Sequence, residues 1–319
     1  MSAQRAKVVL VEPIHEVGVE LLREAFEVRV LEGPADPRFR AECETADAVI
    51  VRSTRFGAEE FAACPILRVV GRHGAGTDNI DLDIAAERGV SVVNTPRSNT
   101  ESVAEYVIAV IFWSLKRLDE GAAALAVGAM PAERGSLPAQ VVRRGLVGGE
   151  IQGRALGLLG FGAIGRAVAR RARALGMRVL AFDPYVPDGD FAALEVERAG
   201  FDEVLSDSDV VSLHVPGRPD GTPLISHDQL GLMREGALLV NAARGMLVDA
   251  DALVSAVRRR RIVAAVDVFD PEPPPVDSPL LSTPGILATP HQAAMTEEAL
   301  ERMARDVALG VIEKLSRAD

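Results

Sequence analysis

The sequence predicts an α/β protein made of two doubly wound parallel-sheet domains. Three observations carry that reading. Short β-branched runs alternate with amphipathic runs through the first hundred residues, the same alternation restarts at Arg154, and a glycine triplet stands at the strand-to-helix junction of the second series. Strands separated by helices run parallel and are covered on both faces, so they read as continuous apolar runs. A length of 319 residues also exceeds what one hydrophobic core usually organises.

The first series opens with the strand "KVVLVE", the helix "HEVGVELLREAF" and the strand "EVRVL". It continues through "DAVIVRS", "LRVVGRH", the amphipathic "DLDIAAERG" and "VSVVN". The stretch "TESVAEYVIAVIFWSLKRLDEGAAALAVG" reads as one long, largely apolar helix with Thr100 as its cap. Its interruptions and polar edges suit a buried interface helix better than a membrane span. The second series runs from "RALGLLGFGAIGRAVARRARALGMRVLAFDPY" through "DVVSLHVP", "ALLVNAARG" and "ADALVSAVRRRR" to "IVAAVDVFD". Arg258 to Arg261 fall in the last turn of a helix, where cations complement its dipole. "DPEPPPVDSPLLSTPG" is an extended surface loop by composition, and the chain closes on the amphipathic helix "TEEALERMARDVALGVIEKL".

Composition narrows the function. The formal net charge of −11 disfavours binding to a phosphate backbone, so no nucleic acid partner is expected. The apolar run near the N-terminus is too short for a signal-peptide core or a membrane span, so no membrane partner is expected. Cys43 and Cys64 fit a reducing compartment and lack metal-ligand spacing, which predicts a cytoplasmic protein with no metal.

The strongest local signal is "GLLGFGAIGRA". Gly160, Gly162 and Gly165 form G-x-G-x-x-G directly after a strand and at the start of a helix. The first glycine permits the tight turn, the second lets a pyrophosphate approach the backbone, and the third lets helix pack on strand. The backbone of Ala163 and Ile164 and the side chain of Arg166 stand at the helix N-terminus, where the phosphates are expected. The next strand ends in Asp183, 23 positions after Gly160, close to the usual separation for the acid that binds the ribose hydroxyls. A carboxylate there repels a 2′-phosphate, so NAD is the predicted cofactor rather than NADP.

Hydride transfer between a nicotinamide and a ketone needs a cation that polarises the substrate and an acid for the developing alkoxide. Histidine suits the second task, and a neighbouring carboxylate fixes its ring and stabilises its cation. His291 in "ATPHQAAMT" is the candidate acid and base. Arg244 in "NAARG", and Asp267 and Glu272 in "AVDVFDPEP", follow strands of the second series. Residues beyond the carboxyl ends of such strands face the ligand crevice.

Nearly the whole chain resembles the D-isomer-specific 2-hydroxyacid dehydrogenases, in particular their phosphoglycerate dehydrogenase branch. The resemblance rests on "VVGRHGAGTDNIDLDIAAERGVSVVNTP", "SVAEYVIAVI", "LGLLGFGAIGR", "SDVVSLHVP", "LLVNAARGMLVD", "AAVDVFDPEP" and "LATPHQAAMT", in that order. It implies that Arg244 binds and polarises the substrate, that Glu272 pairs with His291, and that His291 is the acid or base. Asp267 matches an aspartate supporting the nicotinamide side, and His214, Val215, Pro216 and Ala242 join the cofactor-binding set. Backbone amides at Gly74, Ala75 and Gly76 are implied to bind the substrate carboxylate, with Arg52 and Ser53 as further substrate contacts. Arg52 could hold a phosphate, a sulfonate or a second carboxylate.

The resemblance also implies a discontinuous architecture. A Rossmann-type nucleotide domain, residues 101–286, would be inserted into a flavodoxin-like substrate domain made of residues 1–100 and 287–319. His291 would then stand at the domain cleft, and the helix after Thr100 would pack in a homodimer. The C-terminal regulatory domain of many phosphoglycerate dehydrogenases is not expected here, and Ala294 stands where glycine is frequent. The expected reaction interconverts a D-2-hydroxy acid and its 2-keto acid, with 3-phosphoglycerate or a similarly charged short acid as substrate. Hydroxypyruvate or glyoxylate reduction is an alternative. A non-enzymatic NAD-sensing binding protein, like the C-terminal-binding corepressors, is another. A formate dehydrogenase is disfavoured because that branch pairs its histidine with glutamine rather than with a carboxylate such as Glu272.

Overall fold

The computed structural model describes residues 5–218 and 220–317. They form two compact units. One takes the chain up to Ser102 together with Ala294 onward, and the other is Val103–Ala293.

The first unit has a five-stranded parallel sheet built from β1 (Lys7–Leu10), β2 (Glu27–Val30), β3 (Ala48–Val51), β4 (Val69–Arg72) and β5 (Ser91–Val93), in the order β2-β1-β3-β4-β5. That is the flavodoxin-like order of a doubly wound sheet. Alternate residues of each strand enter opposite cores. Val8, Leu10, Ala48 and Ile50 pack against Val19 and Leu22 of the helix Glu16–Ala25 and against Val307 and Val311 of the helix Glu297–Ser316. Val9, Val49, Val51 and Val70 pack on the other face with Phe56, Phe61, Cys43 and Cys64. Those two helices approach closely because position 18 is glycine: a Cβ there would lie 2.6 Å from the Ala304 carbonyl oxygen.

The second unit has a seven-stranded parallel sheet. Its strands are β6 (Ala155–Leu159), β7 (Arg178–Phe182), β8 (Glu197–Arg198), β9 (Val210–Leu213), β10 (Ala237–Asn241), β11 (Ile262–Val266) and β12 (Ile286–Ala288). The order is β12-β11-β10-β9-β6-β7-β8, so the winding reverses between β6 and β9, as in a Rossmann-type sheet. β6, β9 and β10 are buried along their whole length, which is why they read as nearly continuous apolar runs.

Four expectations need correction. The segment after Thr100 forms two helices, Thr100–Lys116 and Leu118–Ala126, because Arg117 takes a left-handed conformation with φ 51°. Thr100 is the first helical residue rather than a cap, and its buried hydroxyl has no hydrogen-bond partner among the described residues. The units part after Ala293 rather than near residue 287: β12 pairs with β11, and the backbone of His291, Gln292 and Ala293 is tied to Asp267. The Pro-rich loop also contains a short helix, Pro279–Ser282. Among the described residues no helix is long and apolar enough to cross a membrane.

Candidate active site

In the second unit five predicted residues, joined by Thr289, gather at the carboxyl ends of the strands. Gly160 follows β6, Asp183 follows β7, His214 follows β9, Ala242 follows β10, Asp267 follows β11 and Thr289 follows β12. Parallel strands bring all six to one edge of the sheet.

Two of the three glycines are required by the packing of the loop itself. Gly160 has φ +100°, and a Cβ there would meet the His214 carbonyl oxygen at 2.3 Å. A Cβ on Gly165 would meet the Gly160 carbonyl oxygen at 2.4 Å, so the helix Ala163–Ala174 could not dock on β6. Gly162 caps that helix, and a Cβ there would meet nothing within 4 Å. The side of the loop facing the helix N-terminus is therefore open, with the amides of Ala163 and Ile164 in the first turn, where helical N–H groups lack intrahelical acceptors. Asp183 accepts hydrogen bonds from Phe161 N at 2.8 Å and from Tyr185 N at 3.0 Å, one on each carboxylate oxygen. Each oxygen keeps a lone pair for a diol. These residues fit a dinucleotide.

Arg166 lies differently from the sequence expectation. Its Nε donates to the Phe161 carbonyl oxygen at 2.9 Å, and its Nη2 pairs with Asp190 at 2.7 Å. It braces the loop from the side instead of turning its guanidinium to a phosphate. The backbone N–H of His214 donates to the Leu159 carbonyl oxygen at 2.7 Å, and the ring Nε2 lies 3.0 Å from Ser212 Oγ. Burial pushes the His214 imidazole down to about 4, so at neutral pH it is uncharged. Val215 contributes to the floor beneath Gly160, Pro216 is exposed, and Ala242 is half-buried.

The two residues expected to form the acid–base pair are in contact. His291 Nδ1 lies 2.5 Å from Glu272 Oε1, and Phe269 N donates to Glu272 Oε2 at 3.4 Å. Both side chains remain open to a ligand, with exposures of 49% and 39%. His291 has φ +53°, an uncommon conformation for a residue with a side chain. Its N–H is shared between the carbonyl oxygens of Asp267, at 2.8 Å, and Thr289, at 3.0 Å. Asp267 is fully buried and accepts from Thr289 Oγ1, Gln292 N and Ala293 N, so its carboxylate braces the turn carrying His291.

Arg244 sits on a turn held by Asn241. The Asn241 side chain donates to the Arg244 carbonyl oxygen at 2.9 Å and accepts from Ala243 N at 3.2 Å. Arg244 Nη1 donates to the Ala243 carbonyl oxygen at 2.6 Å. Gly245 lets this turn lie against the segment leading to Glu272: a Cβ there would sit 2.1 Å from the Phe269 carbonyl carbon.

The remaining predicted residues belong to the first unit. The amides of Arg52, Ser53 and Thr54 and the Ser53 hydroxyl all donate to the Glu12 carboxylate. Burial would raise the Glu12 carboxyl, but these four donors outweigh it and hold the group below its ordinary value. The turn is thereby fixed, and Ser53 is spent on it. The Arg52 guanidinium touches Met295 Sδ at 2.9 Å and has no carboxylate partner among the described residues. Gly74 has φ +144°, and its N–H is taken by the Arg72 carbonyl oxygen, whereas the N–H groups of Ala75 and Gly76 have no acceptor among the described residues. Asn94 holds the Ala75 carbonyl oxygen at 2.7 Å. The loop can present two amides, not three, to an anion.

Sequence reasoning missed Glu12, Asn241, Tyr106 and Thr289. Glu12 and Asn241 could have been found, since both stand at carboxyl ends of strands. Tyr106 carries no local signal, because its partner Thr289 is 183 residues away.

Comparison with known proteins agrees with this architecture. Residues 109–293 match the family model described as D-isomer specific 2-hydroxyacid dehydrogenase, NAD binding domain. The chain is 40% identical over 307 residues to D-3-phosphoglycerate dehydrogenase of Mycobacterium leprae, covering 95% of this chain and 56% of that protein. It thus spans about half the length of the curated phosphoglycerate dehydrogenases it matches. It is 44% identical over 259 residues to (S)-sulfolactate dehydrogenase of Chromohalobacter salexigens, covering 80% of each chain. A solved structure of D-lactate dehydrogenase from Aquifex aeolicus, complexed with NAD and lactic acid, superposes with a TM-score of 0.83 at 27% identity, covering 98% of this chain and 96% of that one. On the strength of both the motif-bearing strand ends and these matches, the chain belongs to the D-isomer specific 2-hydroxyacid dehydrogenase family.

Proposed function

We propose that the protein interconverts a D-2-hydroxy acid and its 2-keto acid with NAD, and that the preferred acid is short and carries a second anionic group, as 3-phosphoglycerate and sulfolactate do. The observation that carries the reaction is the His291–Glu272 pair at 2.5 Å. NAD, when bound, supplies the nicotinamide that exchanges hydride with the substrate carbon.

The chain's own residues do the rest. Glu272 accepts a hydrogen bond from the Nδ1–H of His291, which fixes the tautomer and turns Nε2 toward the substrate oxygen. In reduction, His291 delivers a proton from Nε2 to the alkoxide oxygen. In oxidation, the same nitrogen removes it. Glu272 stabilises the imidazolium form that alternates with the neutral ring. Arg244 supplies a planar set of donors for the keto oxygen and the carboxylate. Ala75 and Gly76 offer amides to an anionic oxygen, and Arg52, which has no carboxylate partner among the described residues, suits the distal anion. The sulfolactate and phosphoglycerate dehydrogenases among the relatives support that choice of acid.

A homodimer belongs to the same proposal. Leu118, Leu125, Val127, Leu137, Val142 and Val147 expose apolar surface along one stretch of the second unit.

The test is NADH oxidation with 3-phosphohydroxypyruvate, sulfopyruvate, hydroxypyruvate and glyoxylate, compared by kcat/KM. Preference for either of the first two is expected. Preference for the small uncharged-tail acids would remove the distal-anion assignment, and NADH binding without turnover of any acid would remove the proposed reaction.

A further inference from the structure

We propose that Tyr106 and Thr289 are positioning residues for His291, acting through Asp267; the inference rests on His291 being the acid–base group. The geometry fixes the direction of every hydrogen in the chain. Thr289 Oγ1 lies 2.6 Å from Asp267 Oδ1 and 2.7 Å from Tyr106 Oη. A carboxylate oxygen only accepts, so the Thr289 hydroxyl hydrogen points to Asp267. The lone pair left on Thr289 then receives the Tyr106 hydroxyl hydrogen. Tyr106 donates to Thr289, and Thr289 donates to Asp267.

Three elements distant in sequence meet here: Tyr106 on the helix Thr100–Lys116, Asp267 after β11, and Thr289 after β12. The Asp267 carboxylate also accepts from Gln292 N and Ala293 N, both at 2.8 Å, while the Asp267 carbonyl oxygen accepts from His291 N at 2.8 Å. The three successive backbone amides that carry the histidine all hang on one buried residue. Thr289 ties it from a fourth direction, and Tyr106 anchors Thr289 to the helix.

That anchoring matters because His291 is in the left-handed region, a conformation that persists only when its surroundings over-determine it. A turn that relaxed would carry the ring away from Glu272. Tyr106 keeps its proton throughout: burial, with the nearby Asp267 charge adding to it, pushes the phenol up to about 12. Its donation therefore does not reverse at working pH, and Tyr106 takes no part in proton transfer.

The experiment uses the full chain labelled with 15N-histidine, in the wild type and in Tyr106→Phe, Thr289→Val and Thr289→Ser. The Nδ1–H resonance of His291 is identified by its loss in His291→Gln. Expected is retention in Thr289→Ser, which keeps the hydroxyl, and displacement or broadening in Thr289→Val and Tyr106→Phe. In turnover, Thr289→Val lowers kcat about 30-fold and Tyr106→Phe about 10-fold, the range in which small misplacement of a reacting group is felt, with KM and NADH affinity within threefold and Thr289→Ser within twofold of wild type. An unchanged resonance in Thr289→Val and Tyr106→Phe overturns the proposal. So does a loss in Thr289→Ser equal to that in Thr289→Val, which would make the methyl, not the hydroxyl, the important part. The resonance reads the positioning without turnover, so an inactive wild type would strike the proposed reaction alone.

Discussion

The ring of His291 meets Glu272 through Nδ1 at 2.5 Å, and Nε2 has no partner among the described residues. One nitrogen is assigned to the carboxylate and the other is left for a substrate. Replacing His291 by Gln keeps a polar side chain but removes the exchangeable proton. Turnover should fall by a factor of about 10²–10⁴, the usual contribution of general acid–base catalysis, with NADH affinity unchanged by fluorescence titration. Full activity in this variant would eliminate His291 as the acid and base.

Two glycines of one loop should separate folding from cofactor binding. Gly160→Ala forces a Cβ to 2.3 Å from the His214 carbonyl oxygen at φ +100°, so a lowered Tm is expected. Gly162→Ala meets no protein atom within 4 Å, so Tm should hold while NADH affinity drops about tenfold or more from obstruction of the pyrophosphate. Equal NADH affinity in Gly162→Ala and wild type would move the pyrophosphate elsewhere.

Asp183 accepts from Phe161 N and Tyr185 N and still offers both oxygens to a ribose diol. Asp183→Ala removes the charge that repels a 2′-phosphate. The ratio of kcat/KM for NADH over NADPH should fall at least tenfold. An unchanged ratio would count against the ribose contact.

His73 is 2% exposed, and burial, with Arg52 and Arg72 adding to it, holds its imidazole down to about 4. The unfolded chain binds this proton near pH 6.5 and the folded one does not, so stability is full above that pH and is lost as pH falls from about 6.5 toward 4. Between pH 7 and pH 5 the linkage amounts to on the order of 2 kcal/mol. Urea unfolding of wild type and His73→Phe at both pH values checks it. The variant should lose less stability than wild type, and equal losses would show that other groups govern the acid limb.

The exposed apolar side chains between Leu118 and Val147 suggest where two copies would meet. Light scattering coupled to size exclusion should report a dimer for wild type and a monomer for the Leu125→Asp, Val142→Asp double variant. A monomeric wild type at tens of micromolar would reject the homodimer.

Much of this was legible in the amino-acid order. Gly160 and Gly165 declare their turn because only glycine satisfies φ +100° at the first and the 2.4 Å approach at the second. β6, β9 and β10 declare themselves because strands buried on both faces are nearly all apolar, Ser212 and Asn241 being the polar residues among them. Arg244, Glu272 and His291 were readable as candidates because each follows a strand of a parallel sheet, and such ends share one edge. The break at Arg117 was not readable: good helix formers lie on both sides of it, with no glycine or proline between Thr100 and Glu120, and only a backbone angle ends the helix.

The chain order by itself determined which residues could do the chemistry, since strand periodicity and turn requirements are local. Tertiary structure decided which of them hold one another. It turned Arg166 to Asp190, took up Ser53 on Glu12, set Arg52 against Met295, and joined Tyr106 to Thr289 across 183 positions. The physical reason is that a hydrogen bond is set by distances of about 3 Å and by direction, which the packing of whole elements creates and no short stretch of sequence encodes.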